Sequence, residues 1–214
     1  NPKQIGAKPL TEIKKVLLKE PQLIKLGSIL CPLEKQPPIE ATKQQIKQSR
    51  KTTVGGLLNE LRASNTEIDF IGAMISCWHS TYFSKLGFVK SHPNQFQLYS
   101  FVRLNEEGLI PGLFLYLAYR SKLPSAKQWK KDKSLLAVKR VLSFYFQTYL
   151  PAKAIKPLLN GNDIQKKFKI KPNPFFKTIL LKLEEARVLG NINTRAEAIN
   201  FAKSIISSKQ KENH

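Results

Sequence analysis

Apolar residues recur at spacings of three and four from the start of the chain. Leu10, Ile13, Val16 and Leu17 make one such run, and Leu23, Ile24, Leu26, Ile29, Leu30 and Leu33 make another. The spacing predicts two helices, with Pro21 marking the break between them. Residues 36–53 read as a polar connection rich in Lys and Gln around Pro37-Pro38, its second half running as helix into Val54, Leu57, Leu58 and Leu61. Ser64 and Glu67 then form a capping box. The helix it opens carries Ile68, Ile71, Ile75 and Trp78 and is expected to end at His79. After a loop through Gly87 and Pro93, the pattern Phe96, Tyr99, Phe101, Val102, Leu104 predicts a helix closed by Glu107-Gly108. A very apolar helix is expected from Leu113 to Leu123, and a long one from Ser125 towards Leu150, stopped by Pro151.

The C-terminal stretch is the most strongly punctuated. Asn160-Gly161-Asn162 supplies turn residues, and Asp163 or Asn162 is placed to cap a short helix. Pro172 and Pro174 stop that helix and start the next, because proline is tolerated in a first turn but not inside. Ile179, Leu180 and Leu183 return at helical spacing, and Thr194-Arg195-Ala196-Glu197 is a capping box for a last helix. The fold class that follows is all-α, a multi-helical array.

Charge changes the picture more than length does. The 214 residues suffice for one substantial core or two modest ones, and 42% are apolar, so a folded chain is expected. Against 15 Asp+Glu stand 36 Lys+Arg, a formal net charge of +21. Such an excess points to a polyanionic partner, nucleic acid foremost, because Lys and Arg contacts to phosphate dominate that binding. The bland alternative is a solvated lysine-rich surface. On the long helix Lys127, Lys130, Lys131, Lys139 and Arg140 form a basic companion to the apolar residues. Lys153, Lys156, Lys166, Lys167, Lys169 and Lys171 continue the charge into the C-terminal stretch. These eleven are the candidate RNA-backbone contacts. Phe168, Phe175 and Phe176 lie among them, placed either to stack on bases or, at helical spacing, to fill a core.

Candidate chemistry is sparse. No Gly-Ser pair followed by paired carboxylates appears, so the two-metal centre of phosphoryl transfer is not encoded. There is no Gly-rich phosphate loop, no Cys/His metal spacing and no Ser-His-Asp set among three histidines. Cys31 and Cys77 form no disulfide framework, which implies a reducing compartment. No apolar run approaches a membrane span, and no signal peptide is expected. The expected location is cytoplasmic, or an organellar matrix or stroma in a eukaryote. The chain opens at Asn1 in mid-pattern, and an excised portion of something longer is the expectation.

Leu159, Gly161, Asp163, Ile164, Pro172, Pro174, Ile179 and Leu180 together resemble the tail of bacterial-type tRNA nucleotidyltransferases (CCA-adding enzymes) and their relatives the bacterial poly(A) polymerases. Asn173 and Lys177 stand where that pattern has glycines, which marks a divergent member. Ser64, Asn65 and Glu67 resemble the same family's serine-asparagine-glutamate helix entry, and that helix finishes in a histidine, here His79. At Ile29–Lys35 the family carries the His-Asp metal pair of an HD phosphohydrolase fold, but Cys31 and Pro32 occupy those positions here. An aspartate expected near Leu117-Ala118-Tyr119-Arg120 is also missing. The resemblance therefore implies a degenerate HD-like body over residues 1–123 and a basic helical tail over 124–214. His79 is then a remnant ligand, an RNA contact, or simply a helix cap or packing residue.

The resemblance further implies a partner and a division of labour. The chain would hold RNA, tRNA above all, through its acceptor and T-arm. ATP, CTP and Mg2+ would belong to a catalytic head that this chain lacks, so it holds no cofactor and is expected to be inactive alone. A free-standing helical nucleic-acid-binding protein and an HD-type phosphohydrolase with unusual ligands remain the competing classes.

Overall fold

The computed structural model of the chain describes residues 7–34, 53–83, 93–120, 133–170 and 173–212. Among these residues every regular element is helical. They divide into two compact units, Asn1–Phe144 and Tyr145–His214. The division falls at Phe144/Tyr145, past the 123/124 boundary expected from sequence. The helix Lys133–Phe144, which the resemblance placed in the tail, packs with helices of the first unit.

The first unit opens with α1 (Ala7–Lys19) and α2 (Pro21–Leu30), separated at Pro21 as the pattern predicts, followed by a 3-10 turn over Cys31–Leu33. Then α3 (Thr53–Glu60) ends in a turn where Arg62 takes the left-handed backbone, φ 58. Arg62 N–H donates to Asn59 O and Ala63 N–H to Leu58 O, closing a Schellman motif without a glycine. The expected capping box forms next: Ser64 N–H donates to Glu67 Oε2 at 2.7 Å and Glu67 N–H to Ser64 Oγ at 3.3 Å. It opens α4 (Asn65–Phe83), which runs on past His79 rather than ending there.

The centre of this unit is α4. Ile68, Ile71, Ala73, Met74, Ile75, Cys77, Trp78 and His79 are all buried, and together these positions cover well over half of the helix circumference rather than one narrow stripe. It packs against α2, α3, α5 (Gln95–Asn105) and, most extensively, α6 (Leu109–Arg120). Glu107-Gly108 does not close α5 into a loop. Glu106–Gly108 is a 3-10 turn that leads at once into α6, which begins at Leu109 instead of Leu113. Glycine makes this possible through proximity. A Cβ on Gly108 would collide with the Ala73 backbone, and one on Gly112 would lie 2.7 Å from Met74 O. Then α7 (Lys133–Phe144) packs on α5 and α6 through Ala137, Val138, Val141 and Leu142. The predicted start of this helix at Ser125 lies outside the described residues, as do the 36–52 connection and the loop through Gly87.

The second unit begins with a π-helical turn over Tyr145–Tyr149 and α8 (Leu150–Ala154). Pro151 does not stop the chain here. It sits in the first turn of α8, directly after the π turn, a position where a helix tolerates proline. The chain continues through α9 (Gly161–Phe168), α10 (Pro174–Val188) and α11 (Arg195–Glu212). Their shared core holds Leu159, Ile164, Ile179, Leu183, Ala186, Ile192, Ala198 and Ala202. Ile164 and Ile179 are wholly buried, each contributing roughly 1.5–3 kcal/mol by transfer from water.

The last three helices are each started by a named side-chain cap. Asn160, not Asn162 or Asp163, is the N-cap of α9, and Asp163 is its reciprocal partner at the third position. Asn173 caps α10 by accepting from Phe176 N–H at 3.0 Å, with an extended φ of −151. The expected corner glycine is thus replaced by a capping side chain. The left-handed residue is Lys169, φ 53, at the end of α9. Gly190, φ 76, closes α10 in a second Schellman motif, with Asn191 N–H on Ala186 O at 2.8 Å. Thr194 and Glu197 form the predicted box for α11.

Two glycines of the first unit should respond oppositely to the same change. Gly108→Ala forces the 3-10 turn off the α4 backbone and should cost about 1–3 kcal/mol. Gly56→Ala in α3 meets nothing and should stabilise by about 1 kcal/mol through helix propensity. Urea unfolding of the two variants beside the parent chain reads both signs.

Candidate nucleic-acid interface

The lysines of the second unit are kept outside by the same caps that build its core. On α9 the Asn160 box fixes the helix so that Ile164 points inward. One turn then leaves Gln165, Lys166 and Lys167 exposed, and Lys169 follows exposed in its left-handed turn. Lys153 is exposed on α8 with its Nζ 5.7 Å from the centre of the Tyr149 ring. Lys156 is exposed in the connecting strap 155–160. In the first unit, Lys139 and Arg140 are half-buried on α7. Lys127, Lys130, Lys131 and Lys171 lie outside the described residues.

The aromatic residues among the lysines are core. Phe168, Phe175 and Phe176 pack against the buried cluster of the second unit and are half-buried. Lys209 on α11 lies over the Phe175 ring at 4.0 Å, a cation–π contact that covers it further. Additional exposed cations that the sequence reading did not single out sit on α10 and α11: Lys177, Lys182 and Lys203. Lys177, at the second glycine position of the tail pattern, points to solvent and displaces no packing.

Two arginines missed by the charge pattern have a different task. Arg187 Nη1 donates to Ile155 O at 2.8 Å and Lys156 O at 2.9 Å. Arg195 Nη1 reaches Leu158 O at 3.5 Å while its Nη2 pairs with Asp163 Oδ1 at 2.6 Å. Together they tie the strap 155–160 to α10, α11 and the start of α9. Asp163 also accepts from Asn160 N–H at 2.9 Å, and this backbone bond with the Arg195 contact holds its carboxyl below the usual range. The signal that could have found Arg195 is its place inside the Thr194–Glu197 box.

In the first unit the residues at the positions read as HD-like are engaged in packing and backbone contacts. Cys31 is wholly buried, its Sγ donating to Ser28 O at 3.3 Å, and burial raises its pKa, which favours the neutral thiol. Glu34 spends its carboxylate on the start of α3, accepting from Val54 N–H at 3.1 Å. His79 is buried in mid-helix, neither a helix cap nor an exposed RNA contact. Burial pushes its pKa down, partly offset by a hydrogen bond to the Glu34 backbone. Its ring packs edge-on to Trp78 at 4.6 Å, and Trp78 meets Tyr119 at 5.3 Å. A neutral thiol, a proline and an imidazole turned to a carbonyl do not suit a divalent cation. Among the described residues no group of three His, Cys, Asp or Glu is arranged to hold a metal.

Residues 47–202 match the family described as tRNA nucleotidyltransferase domain 2, putative. The chain belongs to that family. The match covers most of both units but begins after Cys31–Pro32, so the HD-like reading of that turn rests on resemblance alone. The chain is also similar to the A-adding tRNA nucleotidyltransferase of Halalkalibacterium halodurans, 33% identical over 73 residues. That stretch is 34% of this chain and 16% of the relative, so the chain spans only a small part of the relative's length. No solved structure matches it. Among the described residues no helix is long and apolar enough to cross a membrane.

The Asp163 arrangement gives a pH dependence of known sign. A carboxyl held below its ordinary value of 3.8 stabilises the fold fully above that value. The contribution is lost as pH falls through the lower native value. Thermal melts from pH 5 to pH 2 should show a fall in Tm that is shallower in Asp163→Asn, because that variant has no carboxyl left to protonate. Asn160→Ala, which removes the cap itself, should cost about 1 kcal/mol at every pH.

Proposed function

We propose that this chain is the RNA-holding body and tail of a tRNA-maturing nucleotidyltransferase. It grips the RNA backbone while nucleotide addition takes place in a separate head of the same polypeptide. The ATP, CTP and Mg2+ sites belong to that head. The observation that carries the reading is the family match over residues 47–202 on a chain of net charge +21. The second unit alone has 13 Lys+Arg against 5 Asp+Glu, and Lys153, Lys156, Lys166, Lys167 and Lys169 all remain exposed.

The chemistry of such a grip is electrostatic. Each lysine that neutralises a phosphate releases condensed counterions, so affinity falls steeply with salt and depends little on base identity. Arg187 and Arg195 serve it indirectly, since they fix the strap that carries Lys156 and leads into α9. The name of the similar protein, which specifies tRNA, favours tRNA over other RNAs as the molecule held.

Titration of the chain with tRNA at two salt concentrations tests this directly. Replacing Lys166, Lys167 and Lys169 with Gln should weaken binding. It should also flatten the plot of log affinity against log salt by about one for each phosphate contact removed. Identical affinity and slope in the variant would take the tail off the contact surface.

A further inference from the structure

Within the second unit, a half-open groove of about 440 Å³ runs between the strap and α10. Leu158, Leu159, Leu180, Leu183 and Ile192 make its walls apolar. Three charged side chains also line it: Lys153, Glu184 and Arg187. The volume is in the range that takes small planar ligands, and such sites combine apolar walls with a few fixed polar groups. The strap bordering it is tied to α10 by the Arg187 bonds to Ile155 O and Lys156 O.

We propose that this groove receives one unstacked nucleobase of the bound RNA. The inference rests on the RNA-holding reading and adds to it where, and on what kind of nucleotide, the tail makes a contact that is not purely ionic. Charge complementarity selects the occupant. Lys153 lines the groove and Lys156 lies exposed on the strap beside it, while Arg187 is engaged by the strap carbonyls, so a nucleotide entering there brings its phosphate to the two lysines. A buried apolar peptide would gain nothing from those cations. The apolar walls receive the base faces, as protein surfaces do when single-stranded RNA is read.

Glu184 is the discriminating residue. A carboxylate beside a phosphate-binding surface repels the backbone, so a purely ionic grip is better without it. In a base-receiving groove it accepts a hydrogen bond from a ring or exocyclic N–H, a charge-assisted contact. The two roles predict opposite signs for the same substitution.

The test uses the full chain, the variant Glu184→Met, which keeps the methylene packing, and two probes of equal stem sequence. One is an RNA hairpin with 2-aminopurine in its single-stranded loop, the other a blunt duplex. Anisotropy gives both dissociation constants, and a thermal melt verifies that the variant is folded. The proposal expects Glu184→Met to bind the hairpin roughly tenfold more weakly. It expects the duplex to bind as tightly as before or more tightly. The 2-aminopurine emission should change on binding in the parent chain and not in the variant. Lys153→Met should weaken both probes alike. If Glu184→Met tightens both probes, or the emission never changes, the groove takes no base and the ionic grip stands alone. Should neither RNA bind the parent chain, the RNA-holding reading itself is wrong and this inference goes with it. A leucine-rich helical peptide that binds alongside the hairpin, and is sensitive to Glu184→Met, would assign the groove to a protein partner and overturn the proposal.

Discussion

A helix buried on nearly every side has to be surrounded, and the first unit is the arrangement that surrounds α4. Ile71, Met74 and Cys77 are without solvent exposure, so α2, α3, α5 and α6 must all reach it. Proximity is the limiting condition. The turn Glu106–Gly108 and the first residues of α6 meet α4 backbone to backbone, and only glycine at 108 and 112 allows that distance. Two buried polar groups of α4 find backbone acceptors: Thr81 Oγ1 donates to Cys77 O at 2.8 Å within the helix, and Cys77 Sγ to Leu109 O of α6 at 3.7 Å. Cys31 and His79 are both buried in this unit.

The second unit solves a different problem, which is to be small and strongly cationic yet folded. Its core is eight residues supported by half-buried phenylalanines, and its surface lysines repel one another. Side-chain caps at Asn160, Asn173 and Thr194 and two left-handed helix ends at Lys169 and Gly190 define where each helix starts and stops. Arg187 and Arg195 add charge but direct it at backbone carbonyls, where the planar guanidinium can bridge two acceptors. Charge used for architecture and charge left for a partner are thus separable by residue type: arginine inward, lysine outward.

Local signals were legible wherever the chemistry is local. Pro21, the Ser64–Glu67 box, the Thr194–Glu197 box and the helix of Ile179 and Leu183 all stand as their residues imply, because cap and proline geometry is decided within a turn. The misjudged points all depend on something distant or on a less common backbone. His79 looked terminal, yet the α4 pattern carries on through Thr81 because tertiary burial continues there. Gly108 looked like a stop signal, but its job is contact with Ala73, far away in sequence and invisible to a turn rule. Pro151 looked like a terminator, yet it stands in the first turn of a further helix that follows a π turn. The candidate interface was legible as composition and as exposed lysines, while the arginine clamp required the folded strap to be seen.

The placement of sulfur has a practical consequence. Both cysteines lie in the first unit, buried, and burial with loss of solvation pushes the Cys77 thiol up to about 12. Neither sulfur is presented to an alkylating reagent while α4 stays enclosed, and the second unit has no sulfur nucleophile at all. Labelling kinetics on the intact chain therefore time the breathing of one half of the molecule in isolation from the other, with no tag or dye needed to tell them apart.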